Sequence, residues 1–77
     1  MTGMMSTTDR LLHMANQIAR AFASNGEDSA IAATCEHLRL YWDPLMRGRI
    51  VACLDTCPDA LSDIARGAVE RLRNEAA

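Results

Sequence analysis

The sequence predicts an all-α fold, a small bundle of about four short helices arranged as antiparallel helical hairpins. Three observations predict it. No run alternates apolar and polar residues with period two, and β-branched and aromatic residues are sparse. Apolar residues recur instead at three- and four-residue spacing in four segments. Each segment is bounded by residues that start or stop helices.

The first helix is expected from about Thr7 to Ser24, where Ser6 supplies a cap and Asp9 completes a capping box. Leu11, Met14, Ala15, Ile18 and Phe22 form its apolar stripe, and Asn25-Gly26 stops it, because Gly accepts the left-handed backbone that commonly ends a helix. The second is expected from about Ser29 to Tyr41 with Asp28 or Ser29 as cap, its stripe being Ile31, Thr34, Cys35, Leu38 and then Tyr41 or Trp42. Asp43-Pro44 is the sharpest boundary. Proline disfavours helical geometry in the residue before it and suits the first position of a new helix, with Asp43 as cap. The third helix is therefore expected from Pro44 to about Asp55, with Leu45, Met46, Ile50, Cys53 and Leu54 on its apolar side. Gly48 weakens it by about 1 kcal/mol relative to Ala and suggests close approach of another backbone. After a turn at residues 56–59, a fourth helix starts between Ala60 and Asp63, capped by Ser62 and lined by Leu61, Ile64, Ala65, Ala68, Val69 and Leu72. Glu70 and Arg73 are spaced to pair on its outer side. Residues 1–6 read as a flexible extension, 7–74 as a single domain, and 75–77 as a frayed end.

Seventy-seven residues suffice for one domain. Of the apolar residues, 13 are Ala and three are Cys, and three of the five Met lie within the first five positions. So small a set of large apolar side chains points to a module completed by a partner rather than to a self-sufficient enzyme. Eight basic residues, all Arg, against ten acidic ones give a net charge of -2, which lacks the basic surplus of a nucleic-acid binder. No stretch approaches the ~20 apolar residues of a membrane span, and Met1 to Ser6 lacks the pattern of a secretory leader. With an odd number of cysteines, this predicts a cytoplasmic protein.

No catalytic constellation is legible. The four glycines are scattered rather than gathered in a phosphate loop, and His13 has no partner set by sequence order. Cys35, His37, Cys53 and Cys57 are the only residues worth testing as metal ligands. Their spacing is not that of a zinc knuckle, and the cysteines read as small buried hydrophobes.

Two segments carry a resemblance. One is Met14-Ala15-Asn16-Gln17-Ile18-Ala19 followed by Phe22-Ala23. The other is His37-Leu38-Arg39 followed by Tyr41-Trp42-Asp43-Pro44-Leu45-Met46-Arg47, with Leu54-Asp55 beyond it. Their order and separation resemble the delta subunit of soluble, NAD-dependent, molybdenum-containing formate dehydrogenases, over roughly Leu11 to Leu72. The resemblance implies a non-catalytic accessory chain without a cofactor of its own. In such enzymes the alpha subunit carries the molybdenum centre and iron–sulfur clusters, while the other subunits carry flavin and further clusters and reduce NAD. The expected partners are therefore the catalytic alpha subunit and, in the complex, the beta and gamma subunits. A transient assembly chaperone using the same contacts, or a helical homodimer with an unrelated regulatory role, are the alternatives.

The expected partner-binding residues are Met14, Asn16, Gln17, Arg20, Tyr41, Trp42, Met46 and Arg47. Asn16 and Gln17 beside an apolar stripe suit directional contacts at an interface, or simply face water. Trp42 either anchors the helix corner or, with Tyr41, fills a partner pocket.

Overall fold

In the computed structural model, which describes residues 6–76, the chain forms four α-helices and no strand among those residues. They are α1 (Thr7–Phe22), α2 (Glu27–Tyr41), α3 (Pro44–Thr56) and α4 (Asp63–Ala76), with short 3-10 turns at Ala23–Asn25 and Pro58–Ala60. The extension expected at 1–6 lies, apart from Ser6, outside the described residues, as does Ala77. Helical backbone continues past Asn74 to Ala76, across two of the residues expected to fray.

Local chemistry accounts for most of the boundaries. The Ser6 hydroxyl accepts from the Asp9 amide at 3.0 Å and the Asp9 carboxylate accepts from the Ser6 amide, which completes the capping box. Asp43 accepts from the Met46 amide at 2.8 Å, with Pro44 opening α3 behind it. The Ser62 hydroxyl accepts from the Ala65 amide at 3.2 Å. Gly26 sits at φ 95°, the left-handed region that Gly reaches without penalty. Two expectations change here. α1 tightens into the 3-10 turn at Ala23, ahead of Ser24. α2 begins at Glu27 with no side-chain cap, because Gly26 turns the chain directly into the helix. Asp28 and Ser29 thus fall inside the first turn, where Glu27 and Asp28 favour the positive end of the helix dipole.

α4 is the central packing element. It lies mainly on α2 and also touches α1 and α3; α1 packs on α2, whereas α2 and α3 do not pack along their lengths. Leu38, Ile50 and Val69 are the largest fully buried side chains, surrounded by Leu11, Leu12, Leu61 and Leu72. Alanines contribute more than their size suggests. Ala15, Ala30, Ala65 and Ala68 are wholly buried, so the helices gain core contact by approaching closely rather than by interlocking large side chains. The glycine at the tightest point is Gly67, not Gly48. A Cβ on Gly67 would stand 2.9 Å from Ile31 Cδ1 on α2, whereas one on Gly48 would meet nothing within 4 Å.

The buried faces also rotate slightly from the expected stripes. In α1 Leu12 and Ala19 are buried, while Met14 is 40% exposed. In α3 only Ile50 and Cys53 are fully inside, and Leu45 faces out. Arg73 approaches Asp55 on α3 at 4.0 Å instead of pairing with Glu70.

The two glycines should respond oppositely to substitution. Gly48→Ala should stabilise the chain by up to about 1 kcal/mol, because it removes backbone freedom from the unfolded state and meets open space. Gly67→Val should destabilise it by about 1–3 kcal/mol through overpacking against Ile31. Denaturant unfolding followed by circular dichroism measures both.

Candidate functional site

The corner where α2 gives way to α3 gathers the most distinctive side chains. Leu40, Tyr41 and Trp42 are consecutive, and successive helical residues are turned by about 100°, so they cannot all face inward. Trp42 lies four residues after the buried Leu38 and follows it inside, with only 4% of its surface exposed. Leu40 and Tyr41 stay outside at 61% and 72% exposure. Leu45, on the first turn of α3, is 67% exposed. Three large apolar or amphipathic side chains therefore stand in water at one corner of a chain with few to spare.

Guanidinium groups flank this corner. Arg47 Nη1 donates to the Arg39 carbonyl oxygen at 2.8 Å, tying α3 to the last turn of α2 and satisfying a helix-end carbonyl. Arg39 pairs with Glu36 and approaches Glu75 of α4 at 3.7 Å. The His37 and Tyr41 rings lie 4.8 Å apart, tilted by 50°, which orients the exposed phenol. Beside these residues an open groove of about 450 Å³ runs between α3 and the C-terminal end of α4, with Arg39, Arg47 and Arg73 on its rim and Val51 and Leu72 within it.

The expected partner-binding residues divide into separate groups. Trp42 is committed to the core, so its role is to anchor the corner from inside rather than to fill a partner's pocket. Asn16 is likewise occupied within the chain: its Nδ2 donates to the Ala60 carbonyl and its Oδ1 accepts from the Ser62 amide, both at 2.9 Å. It pins α1 to the turn that launches α4, a contact spanning more than forty residues of sequence. Met14, Gln17, Arg20 and Tyr41 are exposed, and Met46 and Arg47 are half-buried. Arg20 lies on a smaller cleft near Ser62 and Ile64, which shares no residue with the groove beside Arg47. Leu40 was not among the residues expected here, and Leu45, expected on the apolar side of α3, faces out. The run of bulky residues ahead of Asp43-Pro44 was the available signal for Leu40; nothing local separates Leu45 from its buried neighbours.

The cysteines behave as interior thiols. Cys35 and Cys53 are buried and Cys57 is half-buried, and no three His, Cys, Asp or Glu side chains among the described residues converge to hold a metal ion. Burial, with a contribution from the neighbouring Cys57, pushes the Cys53 thiol up to about 11. Burial first, then the Glu75 carboxylate, raises Cys35 as well. Both thiols are therefore protonated at neutral pH and poorly nucleophilic.

The class defined by this fold and corner is a small all-α protein whose outward chemistry is apolar and guanidinium surface. A family model for the NADH-dependent formate dehydrogenase delta subunit, FdsD, matches residues 10–69. That is most of the chain, and the protein belongs to this family. No curated protein and no solved structure matches the chain. No helix among the described residues is long and apolar enough to cross a membrane.

Trp42→Ala should cost about 3–5 kcal/mol of unfolding free energy, whereas Tyr41→Ala should change it by less than about 0.5 kcal/mol, as read from urea titrations. The buried thiols set a pH dependence. An unfolded thiol ionises near ~8.5, while Cys53 in the folded chain does so at about 11. The folded state thus binds more protons between these values, so this thiol's contribution to stability should be fully present at neutral pH and be lost as pH rises from about 8.5 to about 11. Unfolding titrations under reducing conditions should show Cys53→Ala flattening this fall.

Proposed function

We propose that this chain is a non-catalytic accessory subunit of a cytoplasmic, NAD-dependent, molybdenum-containing formate dehydrogenase. It docks on the catalytic alpha subunit, in complex with the beta and gamma subunits, and stabilises the assembly or helps it form. The observation that carries the reading is the conjunction of family membership with the exposed Leu40, Tyr41 and Leu45 at one corner. Leaving such side chains in water forgoes burial worth about 1.5–3 kcal/mol each, and a partner surface recovers it. Tyr and Arg are also residue types that dominate binding energy at interfaces.

The docking surface in this reading comprises Tyr41, Met46 and Arg47 together with the exposed Leu40 and Leu45 at the corner, with Met14, Gln17 and Arg20 on the outer side of α1 as a second contact. Trp42 and Asn16 act from within, holding the corner and the start of α4 in place. The mechanism is linkage. A partner that binds only the folded chain stabilises it by about 2.7 kcal/mol at a hundredfold excess over Kd, and the partner gains reciprocally.

Co-expression of the chain with the alpha, beta and gamma subunits, followed by affinity capture, tests this. The unaltered chain should co-purify at fixed stoichiometry. Tyr41→Ala combined with Leu45→Glu should lower affinity by about 30-fold, the effect of losing ~2 kcal/mol at a hot spot. Undiminished capture of the double variant would contradict the surface assignment.

A further inference from the structure

The groove beside the corner has a composition that the fold does not need. Three of the chain's eight arginines, Arg39, Arg47 and Arg73, stand around it, against a single carboxylate, Glu75. Arg39 is already paired with Glu36, so the guanidinium capacity still open on this groove is that of Arg47 and, in part, Arg73, on a chain whose net charge is -2. Glu75 is already engaged, approaching Arg39 at 3.7 Å. Arg73 reaches Asp55 only at 4.0 Å. Arg47 has no carboxylate partner among the described residues; one of its nitrogens donates to the Arg39 carbonyl. A guanidinium carries five donors in a planar fork, so most of the hydrogen-bonding capacity of Arg47 remains open.

Gly48 supplies the second observation. It lies on the groove in the middle of α3, where glycine disfavours helix, and nothing within 4 Å of a would-be Cβ calls for its absence. No packing within the chain accounts for a glycine at this position. A chain passing over α3 would account for it, because close approach to a helix backbone is what a missing Cβ permits. Val51, Leu72 and Pro44 give the same groove an apolar interior suited to a side chain rather than to a bare inorganic anion.

We propose that this groove receives an acidic peptide segment of a partner polypeptide, with carboxylates on Arg47 and Arg73 and an apolar side chain laid over Gly48. The inference rests on the docking reading above and names the chemistry of what docks. Bidentate guanidinium–carboxylate pairing fixes the register of the segment, and the apolar contact across Gly48 sets how deeply it sits. A nucleic-acid strand is a poorer occupant, since the groove offers no aromatic platform for its bases.

The test measures binding of the full chain to a formate dehydrogenase complex assembled without it, at several salt concentrations. Arg47→Glu should weaken binding at least tenfold and reduce its dependence on salt. Arg10→Glu, which makes the same change in net charge away from the groove, should not. Gly48→Leu keeps the proposal falsifiable if Arg47→Glu disturbs the corner: it should melt at or above the temperature of the unaltered chain yet bind at least tenfold more weakly. Unchanged binding by both Arg47→Glu and Gly48→Leu would overturn the groove assignment while leaving docking intact. Failure of the unaltered chain to bind would overturn both. Dimerisation of the isolated chain that Arg47→Glu abolishes would assign the groove to a second copy and overturn the acidic-partner inference.

Discussion

The break at Asp43-Pro44 governs the surface of this protein. Pro44 cannot extend α2, so the chain must leave helical geometry at Trp42, whose backbone is extended at φ -94° and ψ 137°. Helical spacing from Leu38 has already turned the indole inward and left Leu40 and Tyr41 outside, and the break ends the helix at that point. The Asp43 carboxylate then restarts the helix at once, which leaves Leu45 on an exposed first turn. Had α2 continued, these residues would have wound around a single rod. The corner gathers them into one patch, and Arg47 bridges its two sides by donating to the Arg39 carbonyl.

The interior obeys a related economy. With few large apolar side chains available, the helices close the core by proximity, through Ala30, Ala65, Ala68 and Gly67 where α2 meets α4. Close approach conserves large residues, and the chain leaves several of those it has on the outside. Asn16 complements this arrangement by holding the Pro58–Ala60 turn and the start of α4 against α1 with two hydrogen bonds from one amide. Trp42, Asn16 and Gly67 maintain the shape, Tyr41 and Leu45 stay on the outside, and Arg47 bridges α2 and α3 while part of its surface stays exposed.

Helix number, the capping residues Ser6, Asp43 and Ser62, and the stop at Gly26 were legible in the sequence, because each depends on a neighbour within four positions. What depended on distant residues was not. Gly48 and Gly67 look alike in sequence, and only the approach of Ile31 from α2 distinguishes them. Asn16 looks like a solvent-facing or interfacial amide until the turn at Ala60 comes within reach. Leu45 fits the apolar periodicity of α3, but α3 buries only a narrow face against its neighbours, so periodicity overstated its interior. The same narrowness leaves the groove open beside Val51 and Leu72, a feature no local pattern announces.

Hydrogen–deuterium exchange compares the chain alone with the chain in the assembled formate dehydrogenase complex and bears most directly on the claim that this corner is an interface. The account predicts added protection over residues 39–48 and the C-terminal turns of α4. Protection confined to other helices, with exchange at 39–48 unchanged on assembly, would contradict it.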